Sequence, residues 1–149
     1  MQLVKVEQVP LRLAIGAYIL NSGITKQGAD EETAVALQGF AARAFPFVRN
    51  VTPQQFVRLL AGAEITLGTA ILVPAVPAAV AGTGLTAFAG GLVGLYLRTP
   101  GMRREGSLRP TEQGVPLAKD VWMLGAGLTL LLDDLIDRCG RRRGGQVRS

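Results

Sequence analysis

The polar and apolar positions of the chain are organised around one run without charge. Ile65 to Leu97 is thirty-three consecutive residues with no Asp, Glu, Lys or Arg. As one helix it would extend about 50 Å, well beyond a hydrocarbon core of about 30 Å. Pro74-Ala75-Val76-Pro77 falls in its middle, and each proline removes a backbone donor and clashes with the preceding turn. The pattern predicts two apolar helices, one ending at Val73 and one beginning at Ala78, joined by a tight turn. Thr52-Pro53-Gln54-Gln55 supplies a helix start, with Thr as N-cap, Pro at the first position and Gln at the third. The second span is therefore placed at 53–73 and the third at 78–97.

Two weaker apolar stretches flank this pair. One opens at Pro10, contains Arg12, Asn21 and Ser22, and closes at Lys26. A helix over 10–26 covers about 25 Å, so it needs partner helices to cross a bilayer. The other occupies about 119–136, opening at Lys119-Asp120, passing Trp122, and closing at Asp133, Asp134, Asp137 and Arg138. Arg12 is placed to pair with Asp133 or Asp134. Between the first two spans, Asp30 is an N-cap followed by Glu31 and Glu32, which complement the helix dipole. Leu37, Phe40, Ala41, Ala44, Phe45 and Val48 then follow helical spacing, with Pro46 interrupting. This segment reads either as a lid packed on the bundle or as a helix lying in the headgroup region. The expected fold class is all-α: an integral membrane four-helix bundle with an amphipathic connecting helix between spans one and two. Residues 1–138 form its single membrane domain, and 139–149 a basic, disordered tail.

Ala78, Gly82, Thr86, Gly90 and Gly94 recur every four residues in the third span. They predict a small-residue stripe for close helix packing, within the bundle or between copies. Composition supports the membrane reading: 48% of residues are hydrophobic and 18% charged, below the roughly 25% of soluble domains. The net charge of +5 does not point to nucleic acid, because the basic residues flank apolar spans and gather in the tail (Arg141, Arg142, Arg143, Arg148). Their density favours termini in the cytoplasm, with the chain in the inner or plasma membrane. No cleavable signal peptide is expected.

Histidine is absent and Cys139 is the single cysteine. These counts remove imidazole catalysis, an intrachain disulfide and any Cys-based metal cluster, so no metal is predicted and enzymatic activity is not implied. Glu64 is the outlier. A carboxylate inside a span costs about 2.5–3.5 kcal/mol on insertion scales and must face the bundle, paired or protonated. Lys26, Arg58, Lys119 and Asp120 are the charged residues nearest the same membrane face, and with Glu64 they form a candidate intramembrane polar cluster. It reads as an ion pair fixing helix register, a site for a polar or quinone headgroup, or a proton relay.

Arg12-Leu followed by Gly16, Ser22-Gly23 and Lys26, then Gly62-Ala63-Glu64 and Gly68, then Lys119-Asp120 ahead of an apolar run resemble the DoxX family of small bacterial membrane proteins. The long first connection and the basic third loop depart from the family. The resemblance implies a four-helix membrane protein, and a role as a non-catalytic subunit or scaffold of a redox or envelope-stress complex. The alternative is a quinone- or lipid-binding component of a membrane oxidoreductase of the thiosulfate–quinone type. The expected partners are the bilayer and a protein partner or second copy, with no cofactor unless a quinone.

Overall fold

The computed structural model describes residues 5–146, apart from the side chains of Arg138 and of 141–146. The described chain contains five α-helices of fourteen or more residues, one single-turn α-helix and two 3-10 segments, Val6–Gln8 and Pro46–Asn50. They are α1 (Val9–Gln27), α2 (Glu31–Ala44), α3 (Pro53–Leu72), α4 (Ala78–Arg98), the single turn α5 (Val115–Ala118) and α6 (Val121–Gln146). Three segments are long and apolar enough to cross a membrane: Pro53–Leu72, Ala78–Arg98 and Val115–Asp137, the last joining α5 to most of α6. The chain is an all-α, multi-pass membrane protein.

The expected fourth span, α1, is helical over 19 residues but is not among the apolar three. Arg12, Asn21, Ser22 and Lys26 dilute its apolar character, and Arg12 and Lys26 are engaged inside the bundle. The expected amphipathic connector also needs correction. A helix is present as α2, but its apolar side is poorly separated: the fully buried positions are Ala34, Ala42 and Ala44, while Val35 is exposed. At the other end, α6 carries helix through the first part of the expected basic tail to Gln146. Residues 147–149 of that tail, and the side chains of Arg141, Arg142 and Arg143, lie outside the described residues.

The helix starts follow their sequence signals. Thr52 Oγ1 accepts from the Gln55 backbone N–H at 3.3 Å while Gln55 Oε1 accepts from the Thr52 N–H at 3.1 Å, closing the capping box of α3. Asp30 accepts from the Thr33 N–H at 2.8 Å at the start of α2. That hydrogen bond to the ionised form holds the Asp30 carboxyl below its ordinary range. Because the folded-state value is lowered, the cap's contribution is complete above the unfolded value of about 3.9 and is lost as pH falls through the folded one. Hydrogen exchange of the α2 amides is expected to accelerate across that acid window in the parent protein. In Asp30→Asn, which cannot titrate, the acceleration should disappear.

α1 packs most extensively on α3, and α4 on α6, so the two helices of the uncharged run have their main partners outside it. Glycine permits both crossings. A Cβ at Gly68 would lie 2.6 Å from Leu20 N, and one at Gly23 would lie 2.9 Å from Ala61 O. A Cβ at Gly82 would meet Gly127 O at 2.9 Å, and one at Gly127 would meet Thr86 N at 2.7 Å. The pairs join around Ile15, Ile19, Ile71, Leu85, Met123 and Leu130, all fully buried. Tyr18 and Trp122 add an edge-to-face contact between α1 and α6, with ring centroids 6.4 Å apart.

The end of the bundle that holds the Pro74–Pro77 turn is tied by charge. Arg12 is buried, and its guanidinium donates to Val76 O at 3.1 Å, Ile71 O at 3.4 Å and Val73 O at 3.5 Å. It caps the unsatisfied carbonyls at the end of α3 and its turn, a role the expected pairing with Asp133 or Asp134 did not foresee. Asp133 is instead held by Lys5 Nζ at 2.6 Å and by Gln8, and Asp137 by Lys5 Nζ at 2.9 Å. The two carboxylates raise the Lys5 ammonium above its ordinary value.

Candidate functional site

At the opposite end, α1, α3, α4 and α6 line a partly open cavity of about 400 Å³ with α2. Leu37, Phe40 and Ala41 from α2, then Phe45 and Val48, cover it. Ile19 of α1, Phe56 and Leu60 of α3, Phe88, Leu92 and Leu95 of α4, and Met123 of α6 complete an apolar and aromatic wall. The polar groups on the wall are Ser22, Lys26, Glu64, Asp120 and the Tyr18 side chain. This composition and size match small-molecule sites, which are mostly apolar with a few convergent polar groups and measure roughly 300–1,000 Å³.

Glu64 is the twelfth residue of α3, about 16 Å along the helix. The glycine-mediated α1–α3 crossing brings the last turn of α1 beside it. Lys26 Nζ donates to Glu64 Oε2 at 2.9 Å, to Oε1 at 3.1 Å, and to Ser22 Oγ one turn earlier at 2.6 Å. The Glu64 side chain is 6% exposed and that of Lys26 22%. Bringing both ions out of water costs several kcal/mol each, and only a closely matched contact offsets it. The two-oxygen contact provides that match.

The two Glu64 oxygens lie on one side of the ammonium and share one of its three protons, and Ser22 Oγ takes a second. Lys26 therefore keeps one proton for a further acceptor. Glu64 keeps lone pairs beyond the two that Lys26 occupies, and Ser22, accepting from Lys26, keeps its hydroxyl proton. The polar end of the cavity thus offers mainly acceptors, and Asp120 adds another carboxylate to the wall.

The structure brings Lys26, Glu64 and Asp120 onto one cavity. Arg58 lies elsewhere, exposed on the outer side of α3 in a groove against α4, and Lys119 is exposed at the end of α5. Within the stripe, Gly82 and Thr86 sit at the α4–α6 crossing, and a Cβ at Gly94 would lie 3.4 Å from Phe45 Cζ. Ala78 is half-buried, and Gly90 is exposed with open space around it. Cys139 is exposed and free. Ser22 and the aromatic cover were not singled out as site residues from sequence. Ser22 lies one turn before Lys26, a spacing that places both on one helix face. Among the described residues no group of three or more potential metal ligands occurs.

No protein-family model, no curated protein and no solved structure matches the chain. Fold and site therefore define a class, a multi-pass all-α membrane protein with a partly polar cavity inside its helix bundle.

Proposed function

We propose that this protein is a membrane subunit that holds an amphipathic ligand with a hydroxylated head, a quinol or a lipid, in the cavity beneath α2. The observation behind this reading is the junction of the Lys26–Glu64–Ser22 cluster with an otherwise apolar wall. A hydroxyl on the ligand can donate to Glu64 or Asp120 while its ring and tail fill the space among Phe40, Phe45 and Phe88. With α1 as a fourth span completed by α3, the chain is a DoxX-like bundle in the cytoplasmic membrane, both termini on the cytoplasmic side. It supplies the ligand to a redox or envelope complex and has no catalytic step of its own. A second reading, a scaffold without ligand, draws on the exposed arginines Arg43, Arg49 and Arg109, which suit contact with an acidic partner.

The test titrates a short-tailed benzoquinol and its dimethyl ether into protein in phosphatidylcholine nanodiscs, following the single Trp122. A hydrogen bond to a charged group is worth about 1.5–3 kcal/mol, so the quinol should bind about 10- to 100-fold more tightly than the ether. In Ala41→Phe, which fills the cavity from α2, saturable quenching should vanish. Equal, unsaturating responses to both compounds in both proteins would reject the ligand reading.

A further inference from the structure

A second site lies outside the cavity, where the chain leaves α4. Residues 97–108 surround an open cleft of about 470 Å³, into which Arg98, Arg103 and Arg104 converge. The hairpin that carries them is fixed at several points. Arg104 N–H donates to Arg109 O at 2.9 Å, and Thr111 N–H to Met102 O at 3.0 Å, on either side of a bridge between Arg103 and Pro110. Buried Tyr96 anchors the hairpin tip to α4 through its hydroxyl, which donates to Leu108 O at 2.7 Å. Gly101 (φ 85°) and Gly106 (φ 68°) make the turns in the left-handed region that side chains rarely adopt.

The three guanidiniums form no ion pair among the described residues. Arg98 lies over the Phe45 ring, 5.5 Å from its centroid, and Arg103 spends one N–H on Leu97 O at 3.0 Å. Their remaining donors are free for an anion, against the single carboxylate of Glu105. Leu97 and Leu108 line the same cleft and are 41% and 73% exposed. A cationic cleft at the end of a membrane-spanning helix, with exposed leucines on its wall, matches a molecule that is anionic at its head and apolar below.

We infer that this cleft binds the phosphate headgroup of an anionic phospholipid, its acyl chains running from Leu97 along the outside of α4. The inference is independent of the quinol reading, which concerns the cavity beneath α2. The test is native mass spectrometry of the detergent-purified protein with added phosphatidylglycerol or phosphatidylcholine. The parent should retain phosphatidylglycerol preferentially, and Arg103→Gln with Arg104→Gln should lower its retention about tenfold or more, since each basic residue near a charged headgroup contributes about fivefold. Arg43→Gln with Arg49→Gln removes the same charge from another part of the same face and should leave retention within about twofold. Equal losses in the two double variants, or none in the first, would overturn the site. Inorganic phosphate at millimolar concentration should fail to displace the lipid; full displacement would mark a free-anion site instead.

Discussion

Glu64→Ala is expected to lower the stability of the bundle by about 3–5 kcal/mol, the loss seen when one member of a buried ion pair is removed. The cause is the partner left behind. Lys26 would keep its charge on the cavity wall with Ser22 as its sole acceptor, having lost both contacts of 2.9 and 3.1 Å. Lys26→Met should be comparably damaging, because Glu64 is the more buried of the two. The double variant Lys26→Met, Glu64→Leu should recover most of the loss, since apolar replacement of a whole buried pair is often neutral or stabilising. Thermal unfolding in detergent, followed by circular dichroism, measures all three. The recovered double variant then separates structure from function: it should fold, yet discriminate the quinol from its ether less than the parent does, with Asp120 the carboxylate left on the wall. If it folds and discriminates as well as the parent, the pair serves only helix register.

The two glycines on either side of Glu64 in α3 should respond in opposite directions. Gly68→Ala forces a Cβ to within 2.6 Å of Leu20 N and 2.8 Å of Leu20 Cα. Backbone cannot move aside as a side-chain tip can, so α1 and α3 must separate, at about 1–3 kcal/mol for overpacking. That separation would also shift Lys26 relative to Glu64. Gly62→Ala meets nothing within 4 Å and removes a helix-weakening residue, so it should stabilise by about 0.5–1 kcal/mol. Unfolding curves for the two variants side by side test the crossing geometry. A neutral Gly68→Ala would mean that the helices do not approach as closely as the structure places them.

These glycines show how far the sequence could be read. The uncharged run, its interruption at Pro74–Pro77 and the Thr52–Gln55 capping box are local signals, and they located α3 and α4 to within a residue. Which helix packs on which is not local. Nothing in Ile65–Leu97 shows that α3 turns to α1 and α4 to α6, because apolar faces in lipid do not identify their partners and the small residues at the crossings do. The stripe on α4 is visible as a four-residue repeat, whereas the α1–α3 crossing uses Gly16 against Leu72 and Gly68 and, seven residues on, Gly23 against Ala61 and Ile65. Arg12 was misread for a related reason. An arginine in a span suggests a carboxylate partner, but the helix C-terminus beside Arg12 offers uncapped carbonyls. That Glu64 needs a charged partner is legible in the sequence, since an acid in a span must find company. The selection of Lys26 over Arg58 and Lys119 depended on helix rotation, which charge counting does not supply.

The central claim, a ligand held inside a membrane bundle, is tested most directly by what accompanies the protein out of the membrane. Purification in a mild detergent, followed by solvent extraction and mass spectrometry, should find a quinol or another hydroxylated lipid at about one per chain. That molecule should be absent from Ala41→Phe purified identically. A stoichiometric protein partner with no retained small molecule, in the parent and in the variant alike, would contradict the claim and leave the scaffold reading in its place.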